Sequence, residues 1–364
     1  MSTARQRYLD YVRGVPGARP VVSPFLPHSD VVQATLVHLG LPVTEDLVDD
    51  EVCLARATDY EPMFMTDCPG LIFPWREDPE RSSASWTVMS MATPDGPWIR
   101  RVSRRLGVWG DDDGFPVKSA ADYGRLAGVA ERVSDREAEI RSYFQQWRER
   151  VGEDGVIVIG HPHVTWVGYQ VSQRNLIYHE IGYREVFHRA MAAIHHAARF
   201  VFEIAMDEGI DFMSESCSGL EMTSPAGFDR LDVPYLRDLA DYTHERGGLF
   251  WYHNCGLTRD LILSGRFHSF EADVIETIAP PPEGDNDLVA ARRALDERIC
   301  TKGNLSLVLL RDGTPRQVAT ATRKMVEAVG GSRHIHSTAD AVLTGTPPEN
   351  FLAFVRAARE AGSA

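Results

Sequence analysis

Short apolar runs alternate with longer amphipathic segments through the second half of this chain, and that alternation restricts the folds available to it. Residues 155–160 place four β-branched residues between two glycines, which predicts a short buried strand. From Phe187 to Ala205, apolar residues recur at three- and four-residue spacing, which predicts a long amphipathic helix. Five or six such units fill the last ~210 residues, and parallel strands need crossover helices. The pattern therefore predicts an α/β fold, a (β/α)8 TIM barrel.

The later units can be followed through their helix-start signals and apolar strands. Two capping boxes, at 314–317 and 346–349, carry an early proline and predict the starts of the last two helices. The predicted strands are 212–215, 249–255, 273–279, 299–304 and 334–338.

The first 150 residues are less regular than the rest. They contain one clear strand at 19–25, a helix near 31–39, and a Trp/Pro-rich stretch at 67–113 that predicts loops and a hairpin. No linker, repeat or low-complexity segment divides the chain. We therefore predict a single domain over 1–364, with an irregular N-terminal part at 1–150 that carries insertions, and regular βα units over 151–364.

The bulk composition excludes several classes of function. The chain has 364 residues, which suits one barrel with insertions, and its formal net charge is −14. That charge argues against nucleic acid, whose phosphates require a surface rich in Lys and Arg. Five scattered cysteines do not indicate a disulfide framework, and no apolar run reaches the ~18–20 residues of a membrane span. Without an apolar secretion signal, the sequence predicts a cytoplasmic enzyme that binds neither nucleic acid nor membrane.

The most distinctive polar residues lie where the predicted strand at 249–255 ends. Side chains alternate along a strand, so His253 and Cys255 point to the same face. The carboxyl ends of barrel strands form the active-site face. An imidazole and a thiolate spaced in this way can chelate one Zn²⁺, with bonds of about 2.0–2.1 Å to nitrogen and 2.3 Å to sulfur. The alternative is a core cysteine beside a hydrogen-bonded histidine.

The segment His253-Asn254-Cys255-Gly256 resembles half of the zinc motif of methylcobalamin:coenzyme M methyltransferases and epoxyalkane:coenzyme M transferases. Segments 302–304, 312–315 and 345–350 are similar to the wider uroporphyrinogen decarboxylase-like superfamily. The resemblance covers the regular βα units well and the N-terminal part only loosely. It implies a barrel that binds zinc, with a corrinoid as substrate or on a partner protein, and it is compatible with a homodimer.

One position departs from the family's pattern. The zinc enzymes of the family carry a second cysteine just after the last barrel strand, where this chain has Asp340. A carboxylate also ligates zinc, at about 2.0–2.2 Å, so the resemblance implies a metal site of His253, Cys255 and Asp340. An oxygen ligand donates less electron density than a thiolate, which makes the metal a stronger Lewis acid. The alternative makes Asp340 a turn residue with no metal role.

Other polar residues also follow predicted strands and are candidates for catalysis. Glu215 precedes a polar, glycine-containing loop, where it can serve as acid, base or ligand, and His161 and His163 are placed to contact substrate. His334 and His336 lie on the last strand, and we expect one to face the barrel interior, although a core histidine is the commoner role. No phosphate-binding or Rossmann glycine fingerprint follows a strand, so no nucleotide cofactor is implied.

The resemblance implies a zinc-dependent methyl or alkyl transferase in which the metal activates a thiol or other small nucleophile. The arginine cluster with which the heme-pathway decarboxylase grips its substrate has no counterpart after the strand at 19–25, so uroporphyrinogen is not the expected substrate. The alternative is a metal-independent decarboxylase or lyase on the same barrel. A third hypothesis is a catalytically silent barrel that binds a small molecule or a corrinoid protein.

Overall fold

A computed structural model of the chain describes residues 2–44, 46–93, 95–103, 115–160, 170–171, 173–217, 219–220 and 223–362. The strands in these ranges are β1 (Met63–Thr66), β2 (Arg76–Glu77), β3 (Trp86–Met91), β4 (Trp98–Ser103), β5 (Val156–Ile159), β6 (Phe212–Cys217), β7 (Leu249–Asn254), β8 (Val274–Thr277), β9 (Cys300–Leu305) and β10 (His334–Thr338). The helices are α1 (Ala4–Val12), α2 (Ser29–His38), α3 (Leu47–Thr58), α4 (Pro69–Ile72), α5 (Ala120–Ala130), α6 (Glu137–Val151), α7 (Gln173–Gly182), α8 (Arg184–Asp207), α9 (Pro225–Leu231), α10 (Val233–Glu245), α11 (Arg259–Leu263), α12 (Leu288–Ala294), α13 (Leu307–Asp312), α14 (Pro315–Val329) and α15 (Pro348–Gly362).

Seven of these strands form one sheet in the order β1-β5-β6-β7-β8-β9-β10. The pairings from β5 through β10 are parallel. The segment around Val22 takes the eighth position, because it forms a parallel bridge to His336 of β10. The Val22 carbonyl also accepts the backbone N–H of Glu61, which leads into β1, at 2.9 Å. Val22 thus joins both ends of the sheet, which confirms the predicted barrel.

The predicted strands of the second half are confirmed with small shifts at their ends, and 334–338 matches β10 in full. The predicted capping box at 314–317 is also confirmed. The Thr314 hydroxyl accepts the Gln317 N–H at 3.3 Å, and the Gln317 side chain accepts the Thr314 N–H at 2.9 Å. At the other end of the chain, the predicted strand at 19–25 is reduced to the single bridge at Val22.

The lower part of the barrel interior is an apolar core. Its members come from α1 and from alternate positions of the strands, as the period of two requires. They include Tyr8, Val21, Met63, Val158, Phe212, Trp251, Val274, Cys300 and Ile335, all buried. Because these side chains fill the amino-terminal half of the barrel, the room for chemistry is left where the strands end.

Contacts divide the chain into two compact units, of which the larger comprises 1–66, 145–158 and 209–364 and contains the barrel core. The smaller unit comprises 67–144 and 159–208. In it, β2, β3 and β4 form an antiparallel sheet, which confirms the hairpin predicted within 67–113, and α5 packs against the 24-residue α8. The assignment of 1–364 to one domain stays a prediction. Among the described helices, none combines the length and apolar character that a membrane crossing requires.

Candidate active site

The register of three neighbouring strands places one imidazole, one carboxylate and one ammonium side by side. His253 on β7 is level with Glu276 on β8, and Glu276 is level with Lys302 on β9. Residues at one level of a parallel sheet project to the same side, so the three side chains meet in the barrel interior. They lie one row above the apolar core, towards the carboxyl ends of the strands.

Glu276 is the centre of this row. Its side chain is 1% exposed, its Oε1 accepts the Lys302 Nζ at 2.5 Å, and its Oε2 accepts the Trp251 Nε1–H at 3.1 Å. Burial by itself raises the pKa of a carboxyl group, but the Lys302 ammonium and the His253 ring outweigh it and hold the pKa of Glu276 well below its usual value. Glu276 is therefore an ionised carboxylate inside the barrel, compensated by a lysine that is itself 0% exposed.

His253 connects this buried pair to the barrel mouth. Its Nδ1 lies 3.1 Å from Glu276 Oε2, and its Nε2 lies 4.0 Å from Asp340 Oδ2. The Cys255 side chain hydrogen-bonds the same ring, as the shared strand face predicts. Burial lowers the pKa of an imidazole, yet the pKa of His253 lies well above its usual value because Cys255, Glu276 and Asp340 favour the protonated ring more strongly.

Asp340 follows β10 and reaches the same place from the other side of the barrel mouth. Its Oδ1 accepts the N–H of Ala341 at 2.6 Å, which leaves Oδ2 turned towards His253. Its side chain is 34% exposed, whereas that of His253 is 12% exposed. The structure thus brings His253, Cys255 and Asp340 together, with Asp340 on the solvent side.

The fit of these three residues to a metal ion can be tested on their geometry. A carboxylate on Nδ1 is the usual partner of a metal-bound histidine, because it fixes the tautomer that offers Nε2 to the metal. Against this, two ligands of one tetrahedral zinc lie roughly 3.3–3.6 Å apart, and the His253–Asp340 separation is 4.0 Å. Within the described ranges, no group of three His, Cys, Asp or Glu side chains is arranged as a ligand shell. The three side chains are of types that bind zinc. For His253 and Asp340 to bind the same ion, the 4.0 Å between Nε2 and Oδ2 must shorten by several tenths of an ångström.

Glu215, another candidate from the sequence, does not lie in the row of His253, Glu276 and Lys302. Glu215 is level with Tyr252, whose ring packs against Phe267 and Phe270, whereas Ser216 is the residue of β6 level with His253. Glu215 is buried, and its Oε1 accepts the N–H of Ser216 at 2.9 Å. His161 and His163 lie outside the described residues.

The two histidines of β10 also stay apart from the candidate site. Both have the opposite parity to Ile335, which belongs to the interior core, so the expectation that one faces the interior is wrong. His334 places Nδ1 2.8 Å from the Thr301 hydroxyl and Nε2 2.8 Å from the Gly303 carbonyl oxygen. Burial and the nearby Arg359 lower the pKa of His336 to about 4.

The sequence did not predict that Glu276 and Lys302 form an ion pair at the candidate site. Each is the one charged residue of a short, largely buried strand, 274–277 or 300–305. A lone charge on the interior parity of a buried strand is a usable signal, because such a charge needs a partner. The sequence cannot say which strand supplies that partner.

A closed α/β barrel with ionisable side chains gathered where its strands end has the architecture of a barrel enzyme. The profile of the family described as uroporphyrinogen decarboxylase (URO-D) matches residues 124–361, and the chain belongs to that family. Two curated relatives are uroporphyrinogen decarboxylases. That of Sulfurovum sp. (strain NBC37-1) is 22% identical over 262 residues, covering 66% of this chain and 69% of the relative. That of Parasynechococcus marenigrum (strain WH8102) is 25% identical over 263 residues, covering 69% and 70%.

Among solved structures, a methyltransferase from Methanosarcina mazei is similar over 99% of both chains, with a TM-score of 0.65 and 16% sequence identity. At that identity the likeness concerns the fold. The recognition made from the motifs, a uroporphyrinogen decarboxylase-like barrel, is therefore confirmed, and the chain is a member of an enzyme family.

Proposed function

We propose that this protein is a methyl or alkyl transferase that binds Zn²⁺ through His253, Cys255 and Asp340. The acceptor is a thiol or another small nucleophile, and a corrinoid, free or on a partner protein, donates or receives the group. The observation that carries the proposal is the His253 ring, held on Nδ1 by a buried carboxylate and presented on Nε2 towards Asp340, with Cys255 alongside. The similarity to a methyltransferase fold supports it.

A chain of contacts within the protein orients the His253 ring for binding through Nε2. Lys302 keeps Glu276 ionised, and Glu276 accepts the Nδ1–H of His253, which leaves the Nε2 lone pair free to ligate. Bound zinc favours a thiolate over a thiol and so supplies a nucleophile at neutral pH. In the transfer, a sulfur–carbon bond forms while the bond between the carbon and its donor breaks. The electron pair stays on the donor, and the thiol proton passes to solvent.

Zinc content is the first test. We expect the wild-type chain to retain about one zinc ion per chain after dialysis, measured by elemental mass spectrometry, and Cys255→Ser to weaken binding about tenfold or more. The matched control is Cys53→Ser, since Cys53 is also half-buried but lies on α3. A wild-type chain that retains no zinc, or a Cys255→Ser variant that retains as much as Cys53→Ser, contradicts the metal site.

Methyl transfer is the second test. We expect the zinc-loaded protein to consume methylcobalamin in the presence of a small thiol such as 2-mercaptoethanol, followed by the change in corrinoid absorbance. Cys255→Ser should lose this activity, and Cys53→Ser should keep it. If zinc binds but no thiol or corrinoid combination reacts, the metal site stands and the transferase assignment fails.

A metal-independent decarboxylase or lyase is the second candidate. The observation that favours it is the 4.0 Å between His253 Nε2 and Asp340 Oδ2, which suits an ion pair better than two ligands of one ion. In that case the protonated His253 and the Lys302–Glu276 pair would bind and stabilise an anionic substrate. Full activity on a carboxylic-acid substrate after exhaustive treatment with a chelator would favour this candidate over the transferase.

A further inference from the structure

A second feature of the barrel unit is a cavity of about 260 Å³ beside β1 and α3. Its wall includes three aromatic rings and two thioethers: Phe25, Phe64, Trp147, Met63 and Met65. All of them belong to the larger compact unit. A cavity of this size is just below the range of about 300–1,000 Å³ typical of small-molecule sites, so it suits a small ligand.

One carboxyl group, that of Glu51 on α3, takes part in the wall of this cavity. Glu51 is 1% exposed, and among the described residues its Oε1 has no hydrogen-bond partner. The neighbouring Asp50 is equally buried but fully satisfied, because its Oδ1 accepts the N–H and the hydroxyl of Thr44 at 2.7 and 2.8 Å. The contrast shows that the Asp50 carboxylate stabilises the fold through its hydrogen bonds, whereas Glu51 Oε1 lacks a hydrogen bond among the described residues.

A buried carboxyl oxygen without a hydrogen-bond partner is energetically unfavourable, and a bound ligand that supplies the partner removes that cost. Burial raises the pKa of Glu51 well above its usual value, with Lys302 acting against it, so the ionised carboxylate is favoured when a further cation lies beside it. Aromatic faces attract cations, and thioether sulfur is a weak acceptor. Every polar or polarisable group named in this wall thus favours a positively charged guest.

We propose that this cavity binds a small organic cation, an ammonium or alkylated ammonium group with apolar substituents. Glu51 supplies the counter-charge, and Phe25, Phe64 and Trp147 hold the apolar part. Among the described residues of the wall, the other two charged side chains, Asp46 and Arg150, form a salt bridge with each other and add no net charge.

The cavity adjoins the candidate active site through Phe25. That ring lines the cavity and also lies 5.8 Å from Lys302 Nζ. Lys302 is compensated by Glu276 at 2.5 Å, which limits its repulsion of a cationic guest. The proposal uses no metal ligand, and it stands whether or not the barrel is a transferase.

Calorimetry with matched ligand pairs tests the charge preference on the wild-type chain. Choline is compared with 3,3-dimethylbutan-1-ol, which has the same shape without the charge, and butylammonium with butan-1-ol. We expect at least one cation to bind about tenfold or more tightly than its neutral match, a difference of about 1.4 kcal/mol. Equal binding within both pairs, or no saturable binding of either cation below about 10 mM, overturns the proposal.

Variants then assign the preference to this cavity. Glu51→Gln keeps the shape of the side chain and should abolish the preference for the cation, while Trp147→Leu should weaken both members of a pair. The control is Glu327→Gln, since Glu327 is exposed on α14. A cation preference that survives Glu51→Gln in a chain with unchanged thermal unfolding places the binding elsewhere and refutes the site.

Discussion

Two adjacent rows of the barrel interior, on the same three strands, have opposite chemistry. The lower row is Trp251, Val274 and Cys300, which belong to the apolar core, and the upper row is His253, Glu276 and Lys302. The rows are two residues apart, so the same face of each strand serves both. In this barrel, the change from apolar core to candidate active site therefore occurs over two residues along each strand.

The rows are also held together. The Trp251 Nε1–H of the lower row donates to Glu276 Oε2 of the upper row at 3.1 Å. The charged row is therefore hydrogen-bonded to the apolar row. Substitutions that change one row at a time measure what each row contributes to the free energy of unfolding.

The largest effect is expected from Lys302→Met. It leaves Glu276 as a buried carboxylate without its cation, which costs about 3–5 kcal/mol in unfolding free energy, measured by urea denaturation. The control is the double variant Lys302→Met/Glu276→Leu, which removes both charges and should recover most of that loss. A loss below about 1 kcal/mol in the single variant would show that the pair is not electrostatically coupled as its geometry indicates.

A smaller effect is expected in acid. The pKa of Glu276 is lowered on folding, so its contribution is fully present above the pKa of about 4.3 of an unfolded glutamate and is lost as the pH falls through its folded pKa. Between about pH 4.5 and 2, wild type should therefore lose on the order of 2 kcal/mol more stability than the Lys302→Met/Glu276→Leu chain. Parallel stability curves for the two chains over this range would contradict a lowered pKa at Glu276.

An effect of similar size, but without any change at the metal site, is expected from Val274→Ala in the lower row. Removing two buried methyl groups should cost about 2 kcal/mol through lost burial and the cavity left behind, with the zinc content and its dependence on Cys255 unchanged. Urea denaturation and elemental analysis of the same preparation check both statements. If Val274→Ala releases zinc as Cys255→Ser is expected to do, the two rows are not separable.

Local patterns predicted the elements of this fold well. The strands of the second half, the capping box at Thr314 and the shared face of His253 and Cys255 all depend on residues a few positions apart. Periods of two and 3.6 residues and helix-capping hydrogen bonds are properties of one segment, so they can be identified without knowledge of the other segments.

Pairing between distant segments was less predictable. Glu215 was a candidate because it lies at a strand end, but the register makes it level with Tyr252 and leaves Ser216 beside His253. The expected strand at 19–25 was found only as the bridge at Val22, since the seam of the barrel there rests on a few hydrogen bonds.

The sequence by itself determined that this chain alternates strands and helices, that an imidazole and a thiol share one strand end, and that Asp340 stands after the last strand. The tertiary structure alone decided that Glu276 and Lys302 meet beneath His253 and that Glu51 lines a cavity. The physical reason is that a side chain's direction along a strand follows from the local backbone. Its neighbours follow from how strands far apart in the chain align when the barrel closes.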